Sequence, residues 1–239
     1  RAFAQPLNIV AAIELEASPW VEDNLWVLEQ IETDTLYVGT VGYLEPEKPD
    51  FPQLFDRFRK NPKFLGIRCG NIWGRDVARQ IHDPKFMDGL KRVADAGLVM
   101  DSANPTVPLL EAMVRINDKI PNLRIMIDHL PHLWPTPADQ KGFDAVLKVI
   151  KSRPNIYAKI SDIENRDNPA RGLNAVKAHL DVLMDCFGED RVVFGTAGEP
   201  LSIGEWVRGL AERAPHLFEP SNGGGAARAT PGGNAGGAK

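Results

Sequence analysis

The sequence predicts an α/β chain, specifically a TIM-like (β/α)8 barrel lacking its first strand, and three observations carry that reading. Short runs rich in Val and Ile alternate with longer amphipathic stretches seven times, the pattern of strands buried on both faces and linked by crossover helices. Composition is that of a folded globular chain, 43% hydrophobic and 25% charged over 239 residues, close to the ~250 typical of a barrel. The turn after the first run reads Glu14-Leu15-Glu16-Ala17-Ser18-Pro19, without the glycines that an open doubly wound sheet places there to cradle phosphate.

The strand candidates, in order, are Asn8–Leu15, Thr35–Gly42, Phe64–Cys69, Leu98–Asp101, Leu123–His129, Ile156–Ser161 and Val192–Thr196. Each is short, nearly continuously apolar and bounded by turn residues, as a strand of a helix-covered parallel sheet should be. The helices between and after them are expected over Val21–Glu32, Phe51–Asn61, Phe86–Ala96, Val107–Lys119, Gln140–Ser152, Arg171–Phe187 and Gly204–Arg213. In the sixth, Val176, Leu180, Leu183 and Met184 recur at helical spacing. Pro and Gly punctuate the joins at Asn61-Pro62, Asp83-Pro84, Ala96-Gly97, Pro121-Asn122, Pro154-Asn155 and Gly188. Seven βα units are one short of a closed barrel. The barrel domain is expected over residues 1–219. Residues 220–239, with seven glycines and nothing apolar larger than alanine after Pro220, cannot bury enough surface to offset ordering entropy and are expected to be a disordered tail.

Charge and cysteine content exclude several classes. Twenty-eight Lys and Arg against 32 Asp and Glu leave a net charge of −4, which gives no electrostatic footprint for nucleic acid or an anionic membrane. Apolar runs such as Leu7–Ile13 fall far short of the ~20 residues that span a bilayer. Two cysteines, Cys69 and Cys186, do not make a disulfide framework, so a reducing, cytoplasmic location is expected. The expected partner is a small-molecule substrate, with no nucleic acid and no membrane, and a homo-oligomer is compatible with the composition.

In a barrel the functional groups stand where strands end at the C-terminal rim. The residues so placed are Glu14, Glu16, Arg68, Asp101, Asn104, Asp128, His129, His132, Lys159, Ser161, Asp162, Thr196 and Glu199. His129, behind Asp128, is read as a base, a ligand or a substrate donor, against a hydrogen-bonded pair that only fixes the loop. Arg68, in GIRCG, is read as a bidentate grip on a carboxylate or lactone oxygen, against an inter-strand salt bridge. Lys159 points either into the barrel or toward the helices, and an inward Lys needs an anion. Cys69 reads as a small buried hydrophobe, and Trp20, Trp26, Trp73, Trp134 and Trp206 as the lining of a sugar-binding rim, against core packing for at least half of them. No metal motif is complete: there is no His-x-His, HExxH or CxxC, and His129-Leu130-Pro131-His132 is interrupted by proline.

Six segments in this order resemble the amidohydrolase-related proteins of the amidohydrolase 2 type, which include sugar lactonases and the pyrone-dicarboxylate lactonase. They are Val10–Ile31, Val38–Pro46, FLGIRCG (Phe64–Gly70), LRIMIDHLPH (Leu123–His132), NIYAKISDI (Asn155–Ile163) and FGEDRVVFGTAGEP (Phe187–Pro200). The resemblance implies a distorted TIM barrel of the metal-dependent hydrolase superfamily that opens a lactone or small cyclic ester by attack of water on the carbonyl. By the same resemblance His129 is a catalytic residue and Arg68 binds and polarises the substrate, while Lys159 and Ser161 fall in a Lys-x-Ser segment of unassigned role. Asp128 and Lys159 are read as substrate-binding residues from their place at the strand ends. Two departures qualify the expectation. The family's first strand carries His-x-His and the resemblance begins after it, so a divalent metal belongs to an expected full-length parent and none is supported by these residues. The last strand usually ends in an Asp that activates water, and here Ala197 stands in its place with Glu199 two residues on as a stand-in catalytic carboxylate. Activity is therefore expected to be impaired, and the alternative is a non-catalytic protein that binds a sugar acid on a decayed barrel.

Overall fold

A computed structural model of the chain describes residues 9–16, 18–130, 135–161 and 172–195. Seven strands form one sheet: β1 Ala12–Leu15, β2 Tyr37–Tyr43, β3 Phe64–Gly70, β4 Val99–Ala103, β5 Arg124–Ile127, β6 Ile156–Ile160 and β7 Val192–Phe194. They stand side by side in sequence order, and every pairing from β1·β2 to β6·β7 is parallel. A doubly wound sheet reverses its strand order at the middle; this sheet never does. It is a curled barrel wall, with β1 and β7 at its two edges and unpaired with each other among the described residues.

The helices are α1 Asp23–Ile31, α2 Phe51–Phe58, α3 Val77–Gln80, α4 Pro84–Asp95, α5 Val107–Lys119, α6 Gln140–Ile150 and α7 Gly172–Phe187. The main core lies between them and the sheet. On α2 the aromatic residues Phe51, Phe55 and Phe58 fall at i, i+4 and i+7 and are all buried. The Phe51 and Phe55 rings stack with centroids 5.4 Å apart, and Phe58 stacks on Phe64 of β3 at 5.5 Å. Each such ring contributes about 1.5–3 kcal/mol by burial. Ile67, Cys69, Met100, Ile125, Ile127, Ile156 and Ala158 complete the same layer from the strands.

Element ends shift by a few residues from the sequence expectation, and two of the shifts bear on the argument. Helix α4 begins at Pro84 rather than Phe86, because Asp83 is its N-cap, its side chain accepting from the Lys85 N–H, and proline needs no donor at the first helical position. Strand β5 stops at Ile127, so Asp128 and His129 stand past its end instead of inside it. The four-residue α3, capped by Asp76 accepting from the Arg79 N–H, is too short to leave a periodic signature.

Side-chain clamps on backbone groups hold the sheet toward both edges. Asn24 of α1 donates from Nδ2 to the Tyr43 carbonyl at 2.8 Å and accepts from the Tyr43 N–H at 2.9 Å. Gly42 is required there, since a Cβ would sit 2.1 Å from Asn24 Oδ1. At the other edge Arg191 donates to the carbonyls of Phe187 (3.1 Å), Cys186 (2.8 Å), Arg153 (2.7 Å) and Ile156 (3.1 Å), tying the end of α7 to the start of β6. No helix among the described residues is long and apolar enough to cross a membrane. The expected helix Gly204–Arg213, the tail 220–239 and the rim residues His132, Asp162, Thr196, Ala197 and Glu199 lie outside the described residues.

Candidate active site

Alternation along the strands sends Ile67 and Cys69 toward the helices and Arg68 between them to the inner face, opposite Asp101 in the β3·β4 register. Asp128 follows β5, its N–H bonded to the Ser102 carbonyl at 2.9 Å, and Lys159 comes inward from β6. The four side chains form a closed square of charge. Arg68 Nε faces Asp101 Oδ1 at 3.2 Å, and Arg68 Nη2 donates to Asp128 Oδ2. Lys159 Nζ donates to Asp101 Oδ2 at 2.8 Å and lies 3.1 Å from Asp128 Oδ1. Arg68, Asp101, Asp128 and Lys159 are all buried. Each carboxylate meets both cations, so the square is neutral as a whole, the condition under which buried charge is tolerated. Burial nevertheless dominates at Asp101 and raises its pKa, against the pull of Lys159. Gly195 lets the lysine lie there: a Cβ on it would come within 2.6 Å of Lys159 Cδ.

His129 stands on this square. Its Nε2 is 3.1 Å from Asp128 Oδ2, and its Nδ1 is 2.9 Å from Ser161 Oγ. The His129 N–H donates to the same Ser161 oxygen at 3.2 Å. With a neutral imidazole Nε2–H donates to Asp128, and Ser161 Oγ–H donates to Nδ1, the nearer of its two acceptors, with Asp128 Oδ1 at 3.3 Å as the other. The His129 backbone has φ 52°, an uncommon conformation for a residue with a side chain, and the double contact with Ser161 holds it. The result is a hydrogen-bonded chain from hydroxyl through imidazole to carboxylate, the order needed to move a proton.

A second cluster lies beside it at the ends of β1 and β3. Arg68 Nη1 donates to the Glu16 carbonyl at 3.2 Å. The Glu16 side chain accepts at Oε1 from Arg75 Nη2 and from Trp73 Nε1, both at 2.7 Å, and Arg75 Nη1 donates to the Arg68 carbonyl at 2.7 Å. Burial pushes the Glu16 pKa up despite Arg75, and it pushes Glu14 up despite the hydrogen bond that Glu14 accepts from Thr40 Oγ1.

The four expected residues Arg68, Asp128, His129 and Lys159 are thus brought together, and the open question about Lys159 resolves inward. The geometry puts the heads of Arg68 and Lys159 on Asp101 and Asp128. Glu199 lies outside the described residues. Asn104, at φ 53°, bonds instead to the next loop, its Nδ2 donating to the Asn71 carbonyl at 3.0 Å. Cys69 is buried, its thiol pushed up to about 12 by burial, which keeps it protonated and inert. Trp73 enters the sequence reading only as one of five tryptophans of a sugar-binding rim or the core, and Arg75 does not enter it; the Trp-Gly-Arg triplet in a loop after a strand is the signal that joins them. Among the described residues no group of three His, Cys, Asp or Glu side chains is placed to hold a metal ion. The carboxylates that do approach each other already face Arg68 and Lys159.

Comparison with known proteins agrees with this architecture. A family profile described as amidohydrolase matches residues 5–211. The L-fucono-1,5-lactonase of Burkholderia ambifaria is 24% identical over 212 residues, covering 84% of this chain and 71% of that protein. Among solved structures, a zinc-bound amidohydrolase from Burkholderia multivorans superposes with a TM-score of 0.74 at 19% identity, over 89% of this chain and 79% of that one. A candidate 2-pyrone-4,6-dicarboxylic acid hydrolase from Pseudomonas putida gives a TM-score of 0.68 at 18% identity, over 92% and 79%.

Proposed function

The chain belongs to the amidohydrolase family, and on that premise we propose that it hydrolyses a lactone of a sugar acid or a related small cyclic ester by attack of water on the carbonyl. The observation that carries this reading is the Ser161–His129–Asp128 chain at the strand ends. His129 Nδ1 is the base. As water attacks, it passes a proton to Ser161 Oγ while the Ser161 hydroxyl proton moves to Nδ1, and Asp128 at Nε2 stabilises the imidazolium. The imidazolium then returns a proton to the ring oxygen as the C–O bond breaks, so that proton and leaving group balance. Arg68 and Lys159 fix the Asp128 carboxylate and hold its charge beside the imidazole. Glu199 remains the alternative carboxylate of the same reading. The fucono-lactonase relative and the pyrone-dicarboxylic acid hydrolase neighbour support a cyclic ester as the substrate class.

A second reading, a sugar-acid binding protein without turnover, is favoured by Ala197 at the position of the family's water-activating Asp and by the pairing of Asp101 and Asp128 with cations. One experiment separates the two. Hydrolysis of L-fucono-1,5-lactone, D-glucono-1,5-lactone and 2-pyrone-4,6-dicarboxylate is followed by proton release, in the wild type and in His129→Gln. The hydrolase reading expects turnover of at least one lactone and its loss in the variant; binding of the sugar acid with no turnover supports the second reading.

A further inference from the structure

Trp73 is the residue of the rim that its own fold explains least. Its backbone is left-handed, φ 55°, and Gly74 follows at φ 76°. A bulky side chain in that region is a real outlier that costs about 1–2 kcal/mol, where glycine would serve the turn freely. The indole is not drawn into the core to compensate, being 48% exposed. Its N–H is fixed on buried Glu16, itself gripped by Arg75 at 2.7 Å, and Arg75 lies over the Tyr43 ring at 5.0 Å. The polar edge is therefore tied inward and the carbon face is left to solvent, and the same Glu16 offers its carbonyl to Arg68.

A second observation points the same way. The other Glu16 oxygen, Oε2, is buried without a hydrogen-bond partner among the described residues, a state that costs about 1–3 kcal/mol until a donor arrives. We propose that Trp73 is a fixed stacking plate for the apolar face of a sugar-lactone ring, with Glu16 Oε2 accepting from a hydroxyl on the ring edge. Strain stored in a loop beside a site is the expected signature of such pre-organisation, and an indole offers a large rigid face at low entropic cost. The proposal deepens the lactone reading and rests on it for the substrate class.

Kinetics of Trp73→Ala and Trp73→Phe on D-glucono-1,5-lactone test it. The expected result is a KM raised about tenfold or more in the alanine variant with kcat within about twofold, and recovery to within about threefold in the phenylalanine variant, which keeps a ring but loses the N–H. An unchanged KM in Trp73→Ala overturns the proposal and leaves the lactone reading standing. So does a phenylalanine variant as impaired as the alanine one, since Trp73 would then act only by bonding Glu16. If the wild type turns over no lactone, the same pattern is sought in D-gluconate affinity by calorimetry. Affinity lost in Trp73→Ala and kept in Trp73→Phe supports the plate while the hydrolase reading fails; no D-gluconate affinity in the wild type overturns both.

Discussion

The middle of the sheet and its two edges are built on different principles. Between β3 and β6 the inner face carries Arg68, Asp101, Asp128 and Lys159, all buried and each facing two partners of opposite charge. At the edges, β1 and β7 are four and three residues long and present Ile13, Val193 and Phe194 at 51%, 41% and 50% exposure. The strand ladder thus has a centre fixed by paired side-chain charges and an edge beside β7 fixed by one side chain, Arg191, on backbone carbonyls. The lesson is that the site owes its geometry to the centre: every group of the proposed proton chain stands one or two residues past the end of β5 or β6.

That contrast predicts where substitutions hurt. Asp128→Ala removes the carboxylate shared by Arg68, Lys159 and His129 and leaves two buried cations short of a partner, so it should cost about 3–5 kcal/mol of stability, measured by urea unfolding. A loss under 1 kcal/mol would show the square to be solvated and the contrast with the edges to be empty.

A smaller effect depends on pH. Burial raises the folded-state pKa of Glu16, so the folded protein holds that proton above the unfolded chain's value of about 4.3. Stability from this group is full below that value and falls as pH rises from it through the folded pKa. Asp101 and Glu14, raised for the same reason, act with the same sign. Glu16→Gln should flatten the decline in melting temperature above about pH 4; an unaltered slope would place the titration elsewhere.

The smallest effect belongs to the edge. Val193→Thr on β7, already 41% exposed, should change stability by no more than about 0.5 kcal/mol, checked by the same unfolding assay. A loss comparable to that of Asp128→Ala would mean that β7 is covered and that the edge is not distinct from the centre.

How much of this could be read from the sequence follows the same division. The strands were legible because Ile67, Met100, Ile125 and Ile156 sit in short apolar runs, and their parallel order followed from the helices between them. His129, Arg68 and Lys159 were legible as rim residues because polar groups at strand ends stand out. Their partners were not: Arg68 meets Asp128 across 60 residues and Lys159 meets Asp101 across 58, and the choice between an inward and an outward lysine needs the register. Asp83-Pro84 reads as a turn and is in fact a cap and first helical residue. The left-handed backbones of Trp73 and His129 leave no trace in residue type, since neither is the glycine that such a backbone favours.

The central claim is that His129, oriented by Asp128 and Ser161, is the base of a lactone hydrolase. The most direct measurement is the pH dependence of kcat/KM on a sugar 1,5-lactone for the wild type and His129→Gln, corrected for spontaneous opening. The account predicts an acid limb in the wild type as His129 is protonated, and in the variant a rate at least about a hundredfold lower with that limb gone. A variant that keeps the wild-type rate and the wild-type acid limb would contradict it.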